Sequence, residues 1–81
     1  MKPSEIRCGK TYCNKSGRVE RRIVGLTTVG DYNKSHYRPY FHLGAGVLSQ
    51  DAMLIGYVDK KHTEPVFTPL LSFSAWAKRE V

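Results

Sequence analysis

"GKTYCNKSGRVERRIV", Gly9 to Val24, is the stretch whose reading decides the fold. At its centre stands "NKSG", Asn14 to Gly17. Asn at the first position of a type I turn can bond its own downstream backbone, and Gly enters the left-handed region that other residues resist. A hairpin is therefore expected, with "KTYC" pairing with roughly "RVERRIVGL". In the second strand Val19 and Ile23 share one parity, whereas Val24 and Leu26 have the other. A bulge near Arg21–Arg22 would reconcile the two faces, as would burial of both faces at the strand's end. The same stretch holds five of the chain's thirteen Lys and Arg residues, against a single acidic residue, Glu20.

Outward from the hairpin the signals are shorter. "KPSEIR", residues 2–7, suits one helical turn, with Ile6 as its anchor to the core. "TTVGDYNKSH", residues 27–36, reads as a loop, because Gly30, Asp31, Asn33 and Ser35 all favour turns. "YRPYFHL", Tyr37 to Leu43, reads as an extended segment that is an edge strand or begins beyond Pro39, since Pro39 has no N–H for a sheet ladder. "GAGVLSQDA" is a second loop, and "MLIGYVD" is the best candidate for a central strand, with Gly56 marking a bulge or tight bend. "KKHTE" turns the chain into a last short strand, "PVFTPLL". In "SFSAWAKREV", Ser72 is a plausible N-cap, Phe73 and Trp76 lie at helical spacing, and Lys78 and Arg79 fall in the last turn. The expected fold is mainly β: a small antiparallel barrel or curled sheet, SH3-like, closed at one end by a short C-terminal helix.

A chain of 81 residues makes one domain, residues 1–81, with a thin core. Hydrophobic residues make up 41% of it, too many for a disordered chain. No apolar run approaches the ~20 residues of a membrane-spanning helix, and "MKPSEIRCGK" lacks the apolar core of a signal peptide. A cytoplasmic protein without membrane contact is expected. The formal net charge of +6 is unevenly placed: residues 1–40 carry nine basic and three acidic side chains, and residues 41–81 carry four of each. Such asymmetry favours an anionic partner, either nucleic acid or an acidic protein surface.

Two stretches carry a resemblance. "PSEIRCGKTYCNKSGRVERRIV" and "SFSAWAKREV" resemble small, mostly uncharacterised accessory proteins of tailed phages and prophages, with a G-K-T-Y-x-N-x-x-G hairpin and a closing S-F-x-x-W-A helix. It covers Pro3–Val24 and Ser72–Val81, and its motifs are structural. What it implies is a phage accessory protein acting in the bacterial cytoplasm on host machinery or host defence, in the manner of anti-CRISPR inhibitors. It implies no catalytic residue.

The chemistry of sites narrows the choice by elimination. Cys8, Cys13, His36 and His42 do not fit zinc-finger spacing: four residues separate the Cys pair, five the His pair, and twenty-two lie between Cys13 and His36. In a reducing cytosol both cysteines are expected as free thiols, with Cys13 pointing into a half-buried face as a small hydrophobe. No phosphate-cradling glycine motif or nucleophile signature is present, so no metal, cofactor or enzymatic activity is expected.

Binding remains, with two partner classes. Lys10, Lys15, Arg18, Arg21 and Arg22, interleaved with tyrosines, suit a small barrel that stacks bases and tracks phosphates. "DYNKSHYRPYFH" packs four aromatics and two basic side chains into twelve residues, a composition suited to a protein interface. The sequence thus points to a non-enzymatic protein that binds and modulates a host protein or nucleoprotein complex, with direct nucleic-acid binding as the alternative. The candidate contact residues are Arg18, Arg21, Arg22, Tyr32, Tyr37, Arg38, Tyr40 and His42. An edge strand at Tyr37–His42 would also offer a template for a homodimer.

Overall fold

A computed structural model describes residues 1–37, 40 and 48–81. Among these, five strands form one antiparallel sheet: β1 (Thr11–Cys13), β2 (Glu20–Thr28), β3 (Met53–Val58), β4 (Val66–Pro69) and β5 (Arg79–Glu80). Their order is β4-β3-β2-β1-β5. Two helices join them, α1 (Val29–His36) after β2 and α2 (Leu70–Trp76) after β4. The protein is thus small and mainly β, as its turn spacing predicts. The sheet is not closed into a barrel, which corrects the first of the two expected forms, a barrel or a curled sheet. β4 and β5 are its two edges, and β5 has two residues and β1 three, too little backbone to complete a ring.

The hairpin forms where its turn chemistry puts it. The Gly17 amide donates to Asn14 O at 3.0 Å, and Gly17 takes a φ of 73°, a conformation that costs an L side chain. β1 and β2 then pair Thr11 with Arg22, Tyr12 with Arg21 and Cys13 with Glu20. The irregularity falls at Val24, between Ile23 and Gly25, rather than at Arg21–Arg22. The β1–β2 ladder keeps its register, and the slip occurs opposite Gly56 and Tyr57 of β3. One extra residue there brings Ile23 and Leu26 to the same face.

Residues opposite one another across an antiparallel pair share a face, so Tyr12, Arg21, Ile23, Tyr57 and Ile55 all point one way. α2 covers that face. Phe73 meets Tyr12 edge-on (centroids 5.9 Å, 83°) and packs against Tyr57 (5.9 Å) and Trp76 (5.3 Å). Ile6 and Ala77 complete the core, with Trp76 and Leu70 packed against it. The fully buried Tyr12 hydroxyl accepts from the Arg7 amide (2.8 Å) and donates to Glu5 O (3.0 Å). That pins the 3₁₀ turn at Pro3–Glu5 to the sheet, and Ile6 is the anchor its sequence suggests.

α2 begins two residues before the expected Ser72, directly from Pro69. Proline's fixed φ, here −58°, lets β4 pass into helix without a loop. α2 ends at Trp76, so Lys78 and Arg79 do not lie in its last turn. The Lys78 and Val81 amides donate to Cys13 O and Thr11 O, and β5 adds to β1.

The opposite face of the sheet carries Gly56, Leu54 and Phe67. A Cβ on Gly56 would come within 2.9 Å of Phe67 Cε1, so this glycine makes room for the ring rather than forming the bulge itself. α1 packs here, where a loop was expected. The Thr28 hydroxyl accepts from the Asp31 amide at 3.2 Å, an N-cap that outweighs the turn formers behind it. The Val29 and Gly30 amides donate to Ala52 O and Gln50 O, and Val29 is buried. Tyr37 ends the helix in the left-handed conformation (φ 55°) and Tyr40 lies outside any strand, so neither belongs to the expected edge strand. Arg38, Pro39 and residues 41–47, including His42, lie outside the described residues.

Candidate partner-binding groove

In the meander β1-β2-β3-β4, the two hairpin turns lie at the same end of the sheet, and the connection through α1 lies at the other. The two turns enclose a groove of about 440 Å³, lined by Arg18, Val19, Glu20 and Arg21 on one side and Asp59, Lys60, Lys61 and His62 on the other. Its volume falls in the range of ligand clefts, ~300–1,000 Å³.

Local hydrogen bonds shape both walls. In the first turn Asn14 Oδ1 accepts from the Ser16 hydroxyl (3.1 Å) and the Val19 amide (3.4 Å), and Ser16 Oγ accepts from the Arg18 amide (3.3 Å). In the second, Asp59 Oδ1 accepts from the Lys61 amide (2.9 Å) and the His62 amide (2.7 Å), and lies 2.9 Å from His62 Nδ1. Partial desolvation pushes the Asp59 carboxyl upward. The hydrogen bonds from the His62 ring and from the His62 and Lys61 amides outweigh it and hold the group below the usual carboxylate range.

Arg21 forms the floor. Its guanidinium carbon lies 4.6 Å from the Tyr57 ring centroid and 4.3 Å from that of Trp76. Each such contact contributes about 0.5–2 kcal/mol, more as water is excluded. Nε is 3.7 Å from Asp59 Oδ2, an ion pair too long to be a hydrogen bond. Nε is itself buried and has no hydrogen-bond partner among the described residues, although 25% of the side chain remains exposed. Arg21 is thus a positioned cation with unused donor capacity, facing an open groove.

The residues singled out from sequence divide into separate groups. Arg18 and Arg21 line the groove. Arg22 is exposed but pairs with Thr11 and Val58 on the opposite face of the sheet. Tyr32 and Tyr40 belong to an aromatic cluster on the α1 side. Tyr32 stacks on His36 (3.9 Å) and meets Phe67 (5.2 Å) and Tyr40 (5.1 Å) edge-on. The Tyr40 hydroxyl donates to Phe67 O at 3.0 Å, and burial, with Tyr32 and Tyr57 nearby, pushes its pKa up to about 12. These two tyrosines therefore serve the packing of α1 on β4. Tyr37 is 94% exposed. Arg38 and His42 are outside the described residues.

Lys60, Lys61 and His62 were missed as site residues because they sit in the electrically neutral half of the chain. The available signal was "DKKH", in which an Asp caps a tight turn and leaves the next side chains projecting. Cys8 is exposed and Cys13 buried, both as free thiols. Among the described residues no three His, Cys, Asp or Glu side chains converge as a metal site, and no helix is long and apolar enough to cross a membrane. No protein-family model, curated protein or solved structure matches the chain.

Proposed function

We propose that this is a non-enzymatic accessory protein of the phage type, acting in the bacterial cytoplasm, that binds and modulates a host protein or nucleoprotein complex. Interference with a host defence system is the sharper form of the proposal. The observation that carries it is the groove itself: Arg18, Arg21, Lys60, Lys61 and His62 converge between two hairpin turns, opposed by Glu20 and Asp59. A positive concave surface on a +6 chain steers anionic surfaces toward it. Arginine held on aromatic rings is the kind of side chain that dominates interface energetics.

A pull-down from bacterial lysate tests the reading, with and without nuclease, using the wild-type protein and the double change Arg18→Glu with Lys61→Glu. Both positions are exposed, so the fold should tolerate the change. The expected result is a protein partner that survives nuclease and is lost from the variant. Loss of all bound material on nuclease treatment would support direct nucleic-acid binding instead. A partner retained by the variant would remove the groove from the proposal.

A further inference from the structure

We infer that the groove between the two hairpin turns recognises an acidic protein segment, whose carboxylates meet Arg18, Arg21 and Lys61, with Asp59 acting as a built-in competitor. The inference rests on the proposed docking role of this groove and names the class of its partner.

Three observations favour carboxylates on a polypeptide over phosphates on a nucleic acid. First, Glu20 and Asp59 sit among the cations. Nucleic-acid interfaces are far more one-sidedly positive, because each bound phosphate must be neutralised in turn. Second, the groove presents no open Tyr or Trp ring to a base, and the one ring among its lining residues, that of His62, is tied to Asp59 Oδ1 at 2.9 Å. Tyr57 is only 7% exposed, and Trp76 is engaged by Arg21 on one side of the groove floor and by Phe73 beneath. Single-strand binding depends on open stacking platforms. Third, Val19 lines the groove and is 38% exposed, so an apolar side chain stands among the charges. An apolar centre with a charged rim is the anatomy of a protein interface.

Arg21 is the selective element. Its planar fork suits a carboxylate, and the two rings hold it in place before any partner arrives. Asp59 does not satisfy it. Asp59 Oδ1 is committed to two amides and the His62 ring of its own turn, which leaves Oδ2 at 3.7 Å from Arg21 Nε. The internal carboxylate lowers the positive potential of the site without saturating the guanidinium. An external carboxylate therefore binds against the charge of Asp59, and removing that charge should strengthen binding.

The test is fluorescence anisotropy at low salt, with a short dye-labelled Glu/Leu peptide as one probe and an oligothymidylate of equal charge as the other. The wild type should bind the peptide in preference to the oligonucleotide. Arg21→Lys keeps the charge but loses the fork, and should weaken peptide binding roughly tenfold. Asp59→Asn keeps an acceptor oxygen for the turn amides, and should tighten binding several-fold. Arg22→Ala, on the other face of the sheet, should change it little. Lys61→Glu, at an exposed position, should abolish it without touching the core. If the oligonucleotide binds and the peptide does not, the inference falls and the groove survives as a docking site. If neither probe binds, the groove itself loses its role. Equal losses from Arg22→Ala and Arg21→Lys would reduce the interaction to undirected charge attraction, and weaker binding by Asp59→Asn would show that Asp59 supports the site rather than competing in it; either result overturns the inference.

Discussion

Replacing Phe73 with alanine should bring the protein close to unfolding. The ring is 1% exposed and is the piece of α2 that touches Tyr12, Tyr57 and Trp76 together. Truncating a buried Phe to Ala costs about 3–5 kcal/mol, the transfer energy of the ring plus the cavity left behind. A chain of 81 residues commands in total ~4–12 kcal/mol of stability. Between roughly a quarter and all of it would go. For a domain this size each kcal/mol shifts the melting temperature by about 4–8 °C, so a drop of at least roughly 12 °C is expected. Phe73→Leu, which refills most of the volume, should cost under about 1.5 kcal/mol. Urea titration followed by the fluorescence of the single Trp, Trp76, and by far-UV circular dichroism gives both midpoint and slope. A loss below ~1 kcal/mol with an unchanged slope would mean that α2 is not seated on this face of the sheet, and the core described above would be wrong.

Two further outcomes can be measured on the same instrument. Because the Asp59 carboxyl is held below its unfolded value of ~3.9, it contributes stability at all pH above that value and loses it as pH falls through the folded value. The wild type should therefore exceed Asp59→Asn in stability at neutral pH, with the difference shrinking as pH falls through the folded value of the Asp59 carboxyl; a difference that grows on acidification would contradict the hydrogen bonding assigned to that turn. Tyr37 occupies a left-handed helix end (φ 55°) while its ring is nearly bare, so Tyr37→Gly should be neutral or stabilising by up to about 1 kcal/mol. A clear destabilisation would show that the ring is packed after all.

Where the sequence was legible, the signal lay within a few residues of chain. "NKSG" determined a turn because Asn14 and Gly17 bond locally and only glycine takes that φ freely. "MLIGYV" determined an interior strand because both its faces are apolar, and both are covered. Phe73 and Trp76 determined a helix seated on the sheet by their spacing alone. α1 was hidden because its cap, Thr28, and its docking residues, Val29 and Tyr32, stand among side chains that also suit a turn, and packing against Phe67 decides between the two. β5 was hidden because two residues carry no period, and its strand identity comes from β1 alone. The groove depended most on tertiary structure. Charge read along the chain put all the excess in the first half, yet the meander turns the chain back so that Lys60 and Lys61 face Arg18 and Arg21. Turn chemistry is local and survives in the sequence as written, whereas the sum of charges at a surface is set by which strands pair, a choice made by burial of the whole sheet.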